Sequence, residues 1–161
     1  MEELLSIARG HPQRSVAAGE VVIVDGASVD ALYVLLEGAL RIEKSGMPIA
    51  AVTEAGTCVG EMSLLLGISA TADVVATEPS VLAVIDNASA LLDGESGLPV
   101  ALARLLATRL HVMTGYLADI RNQYSDHEGG LGMVDVVLGS LMRGSGARSE
   151  LGSERDPDPE Y

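Results

Sequence analysis

The chain has 161 residues, 23 acidic against 10 basic for a net charge of −13, with no Phe, no Trp, four Tyr and one cysteine. That length suits one domain that buries a core without disulfides or metal, and the core must be filled by Val, Leu, Ile, Ala and Met, which offer little for stacking a purine. The acidity works against nucleic acid and anionic membranes, both of which need clustered Lys and Arg.

The single Cys58 excludes an intramolecular disulfide and fits a reducing compartment. No basic region followed by a long apolar run opens the chain, and no apolar stretch approaches the ~20 residues of a membrane helix. The expectation is a soluble, cytoplasmic protein with neither a nucleic-acid nor a membrane partner.

In chain order, residues 1–14 read as an N-terminal helix and turn. Leu4, Leu5 and Ala8 share one side of a helix over Glu2–Arg9, and Gly10 and Pro12 close it. Residues 15–97 read as a β-domain with one short helix. Its strands are Val21–Asp25, Ala31–Glu37, Ala39–Lys44, Pro48–Thr53, Thr71–Ala76 and Val81–Asp86. Between them stand Gly19, Asp25-Gly26, Gly38, Ser45-Gly46 and Ala55-Gly56. Short strands at close spacing with turn signals between them predict an antiparallel sandwich or barrel, and Lys44–Pro48 predicts a tight hairpin.

The stretch Gly56–Ala76 is the most informative. Gly60 comes directly before Glu61 and a brief apolar run, Met62–Leu66, long enough for one or two helical turns that Gly67 ends. Such a turn opens with backbone N–H groups that suit an anion. Gly60 lets a ligand approach the backbone, and Glu61 adds an acceptor beside it. Taken alone, the segment also fits a surface loop between strands.

After Asp86 the strand pattern stops. Asn87–Asp93 predicts a short helix capped by Asp86 or Asn87. Residues 98–142 read as a long helix, with Pro99 in its first turn and an end near Tyr124, followed by a short amphipathic helix over Leu131–Met142. Ala103, Leu106, Leu110, Met113, Leu117, Ile120 and Tyr124 recur at alternating spacings of 3 and 4, a helix-to-helix seam. The alternative is one helix lying on the domain's own core. Residues 143–161, rich in Gly, Ser, Pro and charge, predict a disordered tail.

These pieces in this order resemble the cyclic-nucleotide-binding domain family, which includes catabolite-activator-type regulators and protein kinase A regulatory subunits. The resemblance runs from Ser15 to Tyr124. It rests on Gly19-Glu20, Asp25-Gly26, Ala31-Leu-Tyr-Val-Leu-Leu-Glu-Gly38, Ala55-Gly56, Gly60-Glu-Met-Ser-Leu-Leu65 and Ala72-Asp-Val-Val-Ala76. It implies a mainly β fold, an antiparallel β-barrel of jelly-roll type followed by a long C-terminal helix. The Gly60 turn would then be a phosphate-binding cassette. Gly60, Met62 and Ser63 would offer N–H groups to the cyclic phosphate, Glu61 would take the ribose 2′-hydroxyl, and Thr71 would add a hydroxyl. The long helix would close over the base and dimerise.

Two departures alter what the resemblance implies. Where the family has the arginine that pairs with the phosphate, this chain has Ala70, and no Arg or Lys occurs between Lys44 and Arg104. Losing one ionic hydrogen bond costs ~10- to 100-fold in affinity. The residues after Tyr124 are also too few for a winged helix-turn-helix, so the resemblance implies a sensor domain without a DNA-binding arm.

Catalysis finds no support in the sequence. His11, His111 and His127 show no metal-ligand spacing, and no histidine is placed to activate Cys58, which reads as a half-buried structural thiol. The leading reading is a stand-alone regulatory module, not an enzyme, that dimerises through the seam and contacts an unidentified protein partner. It needs no metal and no cofactor beyond a weakly held cyclic nucleotide. One alternative is a working cyclic AMP or cyclic GMP receptor in which Arg41 or Arg104 replaces the missing arginine. The other is a purely structural dimer or assembly domain.

Overall fold

The computed structural model describes residues 2–92, 96–123, 137–139 and 141. The chain divides into two compact units, residues 1–107 and 108–161, of which the first contains the Gly60 turn.

Glycine-rich turns cut the first unit into eight short strands: β1 (Gln13–Val16), β2 (Val21–Ile23), β3 (Leu32–Glu37), β4 (Leu40–Lys44), β5 (Met47–Val52), β6 (Cys58–Val59), β7 (Asp73–Ala76) and β8 (Ser80–Ile85). The helices α1 (Glu2–Ala8), α2 (Glu61–Leu66) and α3 (Ala88–Leu92) belong to the same unit, and α4 (Leu98–Gln123) begins in it. Antiparallel pairing sorts the strands into two four-stranded sheets, β1-β8-β3-β6 and β2-β7-β4-β5.

Side chains alternate along a strand, and that alternation builds the layers. On β3, Leu32 and Val34 face a cluster completed by Leu4 and Ala8 of α1, Ala88 of α3, and Leu98, Ala101 and Leu102 of α4. Leu35 faces the other way, into the space between the sheets. There it meets Val16 and Leu82 of its own sheet and Leu40, Val52, Val74 and Ala76 of the second. The first sheet is therefore buried on both faces, which is why β3 and β8 are near-continuous apolar runs. Aliphatic side chains fill both clusters, as a chain without Phe or Trp requires.

The expected mainly β fold with flanking helices and a long C-terminal helix is present. Of the expected sandwich or barrel, the strands form two facing four-stranded sheets. The hairpin lies where it was expected: Ser45 and Gly46 both take positive φ, 52° and 77°, between the paired residues Lys44 and Met47. Positive φ at both central residues is the two-residue turn whose twist matches its strands.

Some boundaries move. β2 ends at Ile23 because Val24 enters a turn in which the Ala27 N–H donates to the Val24 carbonyl at 3.0 Å. The strand expected over Thr71–Ala76 begins only at Asp73. Two strands were not anticipated. β1 straddles the boundary at residue 14 between the segment read as helix and turn and the β-domain, and pairs with β8, and β6 pairs with β3. Helix α4 runs from Leu98 to Gln123, close to the predicted span. Tyr124, His127, the tail over 143–161 and most of the helix expected over Leu131–Met142 lie outside the described residues. Residues 137–139 and 141 are helical.

Candidate functional site: the Gly60 turn and its surroundings

β6 enters the site as an edge strand on β3, with Tyr33 paired to Val59 and Val34 to Cys58. Cys58 turns into the helix-side cluster and has no exposed surface, so the thiol is fully buried where the sequence predicted half-burial. The chain then turns sharply at Gly60, with φ 94° and ψ −10°. A Cβ there would lie 3.0 Å from the Ala31 carbonyl oxygen, 3.2 Å from Val29 Cγ1 and 3.4 Å from Ile23 Cδ1. Both the backbone angle and the space select glycine.

The first helical bond of α2 runs from the Leu64 N–H to the Gly60 carbonyl at 3.2 Å. At the other end Gly67, at φ 63° and ψ 35°, donates its N–H to the Ser63 carbonyl and stops the helix. The helix is amphipathic in an uneven way. Glu61 and Ser63 are buried, at 4% and 7% exposure, while Met62, Leu65 and Leu66 are exposed. The Cys58 thiol lies 4.0 Å from Glu61 Oε2 within hydrogen-bonding geometry, so it directs a weak donor at that carboxyl group.

Ala70 is buried in the inter-sheet cluster with Val74 and Ala76. Its backbone is held on both sides, the N–H donating to the Ala27 carbonyl at 2.8 Å and the carbonyl accepting from the Gly26 N–H at 2.7 Å. Ile23 links this position to the turn, since it belongs to the same cluster and flanks Gly60. Thr71 and Met62 are exposed. A shallow cleft of about 210 Å³ opens beside Gly60, bounded by Ile23, Val29, Ala31 and Tyr33 among others, and its one charged lining residue is Asp30. The cleft therefore offers an anion no cation.

The basic residues are distributed unevenly around this site. Arg41 alternates with Leu40 and Ile42, which both pack against the inter-sheet core, so it points outward, where it pairs with Glu43. Arg104, on α4, pairs with Glu3 of α1 in the helical layer. Arg14 pairs with Glu20 at 2.7 Å. The Glu20 carboxyl is held below its ordinary range, first by the Ala17 N–H and then by Arg14.

Lys44 was not picked out from the sequence, although it shares the parity of Leu40 and Ile42. Its ammonium donates to Asp25 Oδ1 at 3.0 Å and Oδ2 at 2.8 Å. The Asp25 N–H in turn donates to Asp73 Oδ1 at 2.8 Å.

On α4, Leu98, Ala101 and Leu102 are buried, with Leu105 packed against them, and they form the face that meets the domain's own core. The seam residues lie mostly off that face. Ala103 is exposed, Leu106, Leu117 and Ile120 are half-buried, and Leu110 and Met113 are 46% and 53% exposed. Among the described residues no group of three His, Cys, Asp or Glu is placed to hold a metal ion, and no helix is long and apolar enough to cross a membrane.

The family model described as the cyclic nucleotide-binding domain matches residues 13–91. That segment, just under half of the chain, is what the protein shares with the cyclic nucleotide-binding domain family. What the match supports for this segment is the fold of the cyclic-nucleotide-binding regulatory modules.

A cAMP-dependent protein kinase regulatory subunit of Blastocladiella emersonii is 36% identical over 90 residues, which cover 53% of this chain and 22% of that protein. The solved structure of the Thermus thermophilus catabolite activator protein superposes with a TM-score of 0.58 at 26% identity, covering 74% of this chain and 59% of that one. A structure of PKAR CBD2 with Sp-2Cl-cAMPS bound shares the fold at a TM-score of 0.55 and 22% identity, covering 72% of this chain and 78% of that one. The chain thus spans about a fifth of the curated relative and about three fifths of the activator.

Proposed function

We propose that this cyclic-nucleotide-binding-fold module works by dimerising along α4 and contacting another protein in the cytoplasm, with cyclic nucleotide bound weakly or not at all. The observation that carries this reading is Ala70. A buried methyl group occupies the position where the family resemblance calls for the phosphate-pairing arginine. Arg41 and Arg104, the candidate replacements, are paired with Glu43 and Glu3. In this reading Gly60, Met62 and Ser63 keep the backbone donors of a cassette, Glu61 keeps the ribose acceptor, and Thr71 contributes a hydroxyl at the rim. The net charge of −13 argues against nucleic acid as the partner.

Dimerisation is supported by the exposure of Leu110 and Met113 on a helix whose core-facing side is already used by Leu98, Ala101 and Leu102. Apolar residues at seam spacing are covered at low cost by the same residues of a second copy.

Calorimetry with cyclic AMP and cyclic GMP tests the ligand half of the proposal. Wild type is expected to bind weakly or not at all, and Ala70→Arg to gain roughly ten- to a hundredfold, the worth of one ionic hydrogen bond. Glu61→Ala in the Ala70→Arg background is expected to remove much of that gain. Tight binding by the wild type, or no gain from Ala70→Arg, overturns it.

A further inference from the structure

We infer that Lys44 is the cation that meets an anionic ligand at this site, and that Asp25 holds it in check. This rests on the reading of the Gly60 turn and Ala70 as a degenerate phosphate cassette. Alternation and register carry the inference. Leu40 and Ile42 pack against the inter-sheet core, and β4 pairs regularly with β7 from Leu40–Ala76 through Glu43–Asp73. One residue further, Lys44 comes off the same face of the sheet as Leu40 and Ile42, at the end of β7 that leads back to the cassette. Its ammonium is held by Asp25, and the next residue, Gly26, donates its N–H to the Ala70 carbonyl. Lys44 is therefore tied, through one ion pair and one backbone bond, to the position that lacks its arginine.

The other ion-paired cations of the first unit lie elsewhere. Arg41 is on the outer face, and Arg104 joins α1 to α4. Arg14 is anchored to Glu20, whose backbone pairs with Ala76 at the far end of β7. The three strand steps of β7 from Ala76 to Asp73 by themselves span roughly 10 Å.

The chemistry predicts a weak site. An ammonium has three donors and no fixed plane, so it meets a phosphodiester as a point charge, whereas arginine can bind in a bidentate way. The Lys44 donors are already shared with both oxygens of Asp25. A ligand must compete with that carboxylate, and the pair as a whole is neutral. Neutralising Asp25 removes the competitor and leaves the ammonium available to a cyclic phosphate. The Asp25 backbone N–H to Asp73 is untouched by a side-chain change at 25, so the strand end keeps its anchor.

The test is calorimetry at low salt with cyclic AMP and cyclic GMP on the full chain, each variant first checked for an intact melting transition. Asp25→Asn is expected to tighten binding about tenfold, and the gain should fall with added salt. Asp25→Asn combined with Lys44→Gln should show no gain. In the Ala70→Arg background, where binding is strong enough to measure accurately, Lys44→Gln is expected to lose about tenfold while Lys44→Arg retains affinity. That pair serves the same purpose if Asp25→Asn fails to fold. If Ala70→Arg binds but changes at 25 and 44 leave affinity unmoved, Lys44 has no part in the site and the cassette reading survives. If no variant binds, Ala70→Arg included, both fall.

Discussion

Replacing Gly60 with alanine adds one carbon at the point where β6 becomes α2, and its cost can be worked from the structure. At φ 94° an L-residue carries a backbone penalty of about 1–2 kcal/mol. The new Cβ would also stand 3.0 Å from the Ala31 carbonyl oxygen and 3.2 Å from Val29 Cγ1. The first is backbone and yields little, so overpacking adds about 1–3 kcal/mol. The sum, about 2–5 kcal/mol, is a large part of the ~5–15 kcal/mol that stabilises an ordinary domain. For a unit of this size it corresponds to a fall in melting temperature of roughly 10–20 °C.

Gly67→Ala is the internal control. Gly67 also has positive φ, 63°, but a Cβ there would meet nothing within 4 Å, so it should lose only the backbone penalty of about 1–2 kcal/mol. Urea unfolding followed by circular dichroism measures both, with the comparison valid where the slope is unchanged. If Gly60→Ala costs no more than Gly67→Ala, the close packing of the turn on Ala31 and Val29 is not what holds it.

Two further predictions concern assembly and pH. Wild type should sediment as a dimer at micromolar concentration, and Leu110→Glu with Leu117→Glu should give a folded monomer. Charges buried in the seam would cost several kcal/mol, a loss of a hundredfold or more in association; a monomeric wild type would refute the seam. The Glu20 carboxyl is held below its ordinary range by the Ala17 N–H and Arg14. Its stabilisation is therefore fully present above the ordinary carboxylate pKa and lost as the pH falls through the depressed folded value. The stability gap between wild type and Glu20→Gln should be present at neutral pH and close in acid, and a gap independent of pH would contradict this.

Much of the site's backbone was legible in the sequence because glycine marks it. Gly60 and Gly67 bracket six residues, and both adopt the left-handed conformations that such punctuation implies. The hairpin at Ser45-Gly46 was legible for the same local reason. Strands β3, β4, β5 and β8 were found from short β-branched and leucine runs between turns. β1 and β6 were missed, since Gln13–Val16 buries only Val16 and Cys58–Val59 is two residues long. Each is a strand because β8 or β3 supplies its hydrogen bonds, and a pairing partner has no local signature.

The functional side chains divide along the same line. Composition and order alone determined the family resemblance, the acidic surface, the aliphatic core and the alanine at position 70, because these depend on residue identity. Only the tertiary structure decided that Ala70 is buried between the sheets, that Arg41 faces outward, and that the Lys44 ammonium sits on Asp25 nineteen positions back along the chain. Pairing β4 with β7, and β7 with β2, brings residues 25, 44, 70 and 73 into one neighbourhood. Their proximity is set by strand register, which rests on the burial of a whole sheet face and cannot be read from any one segment.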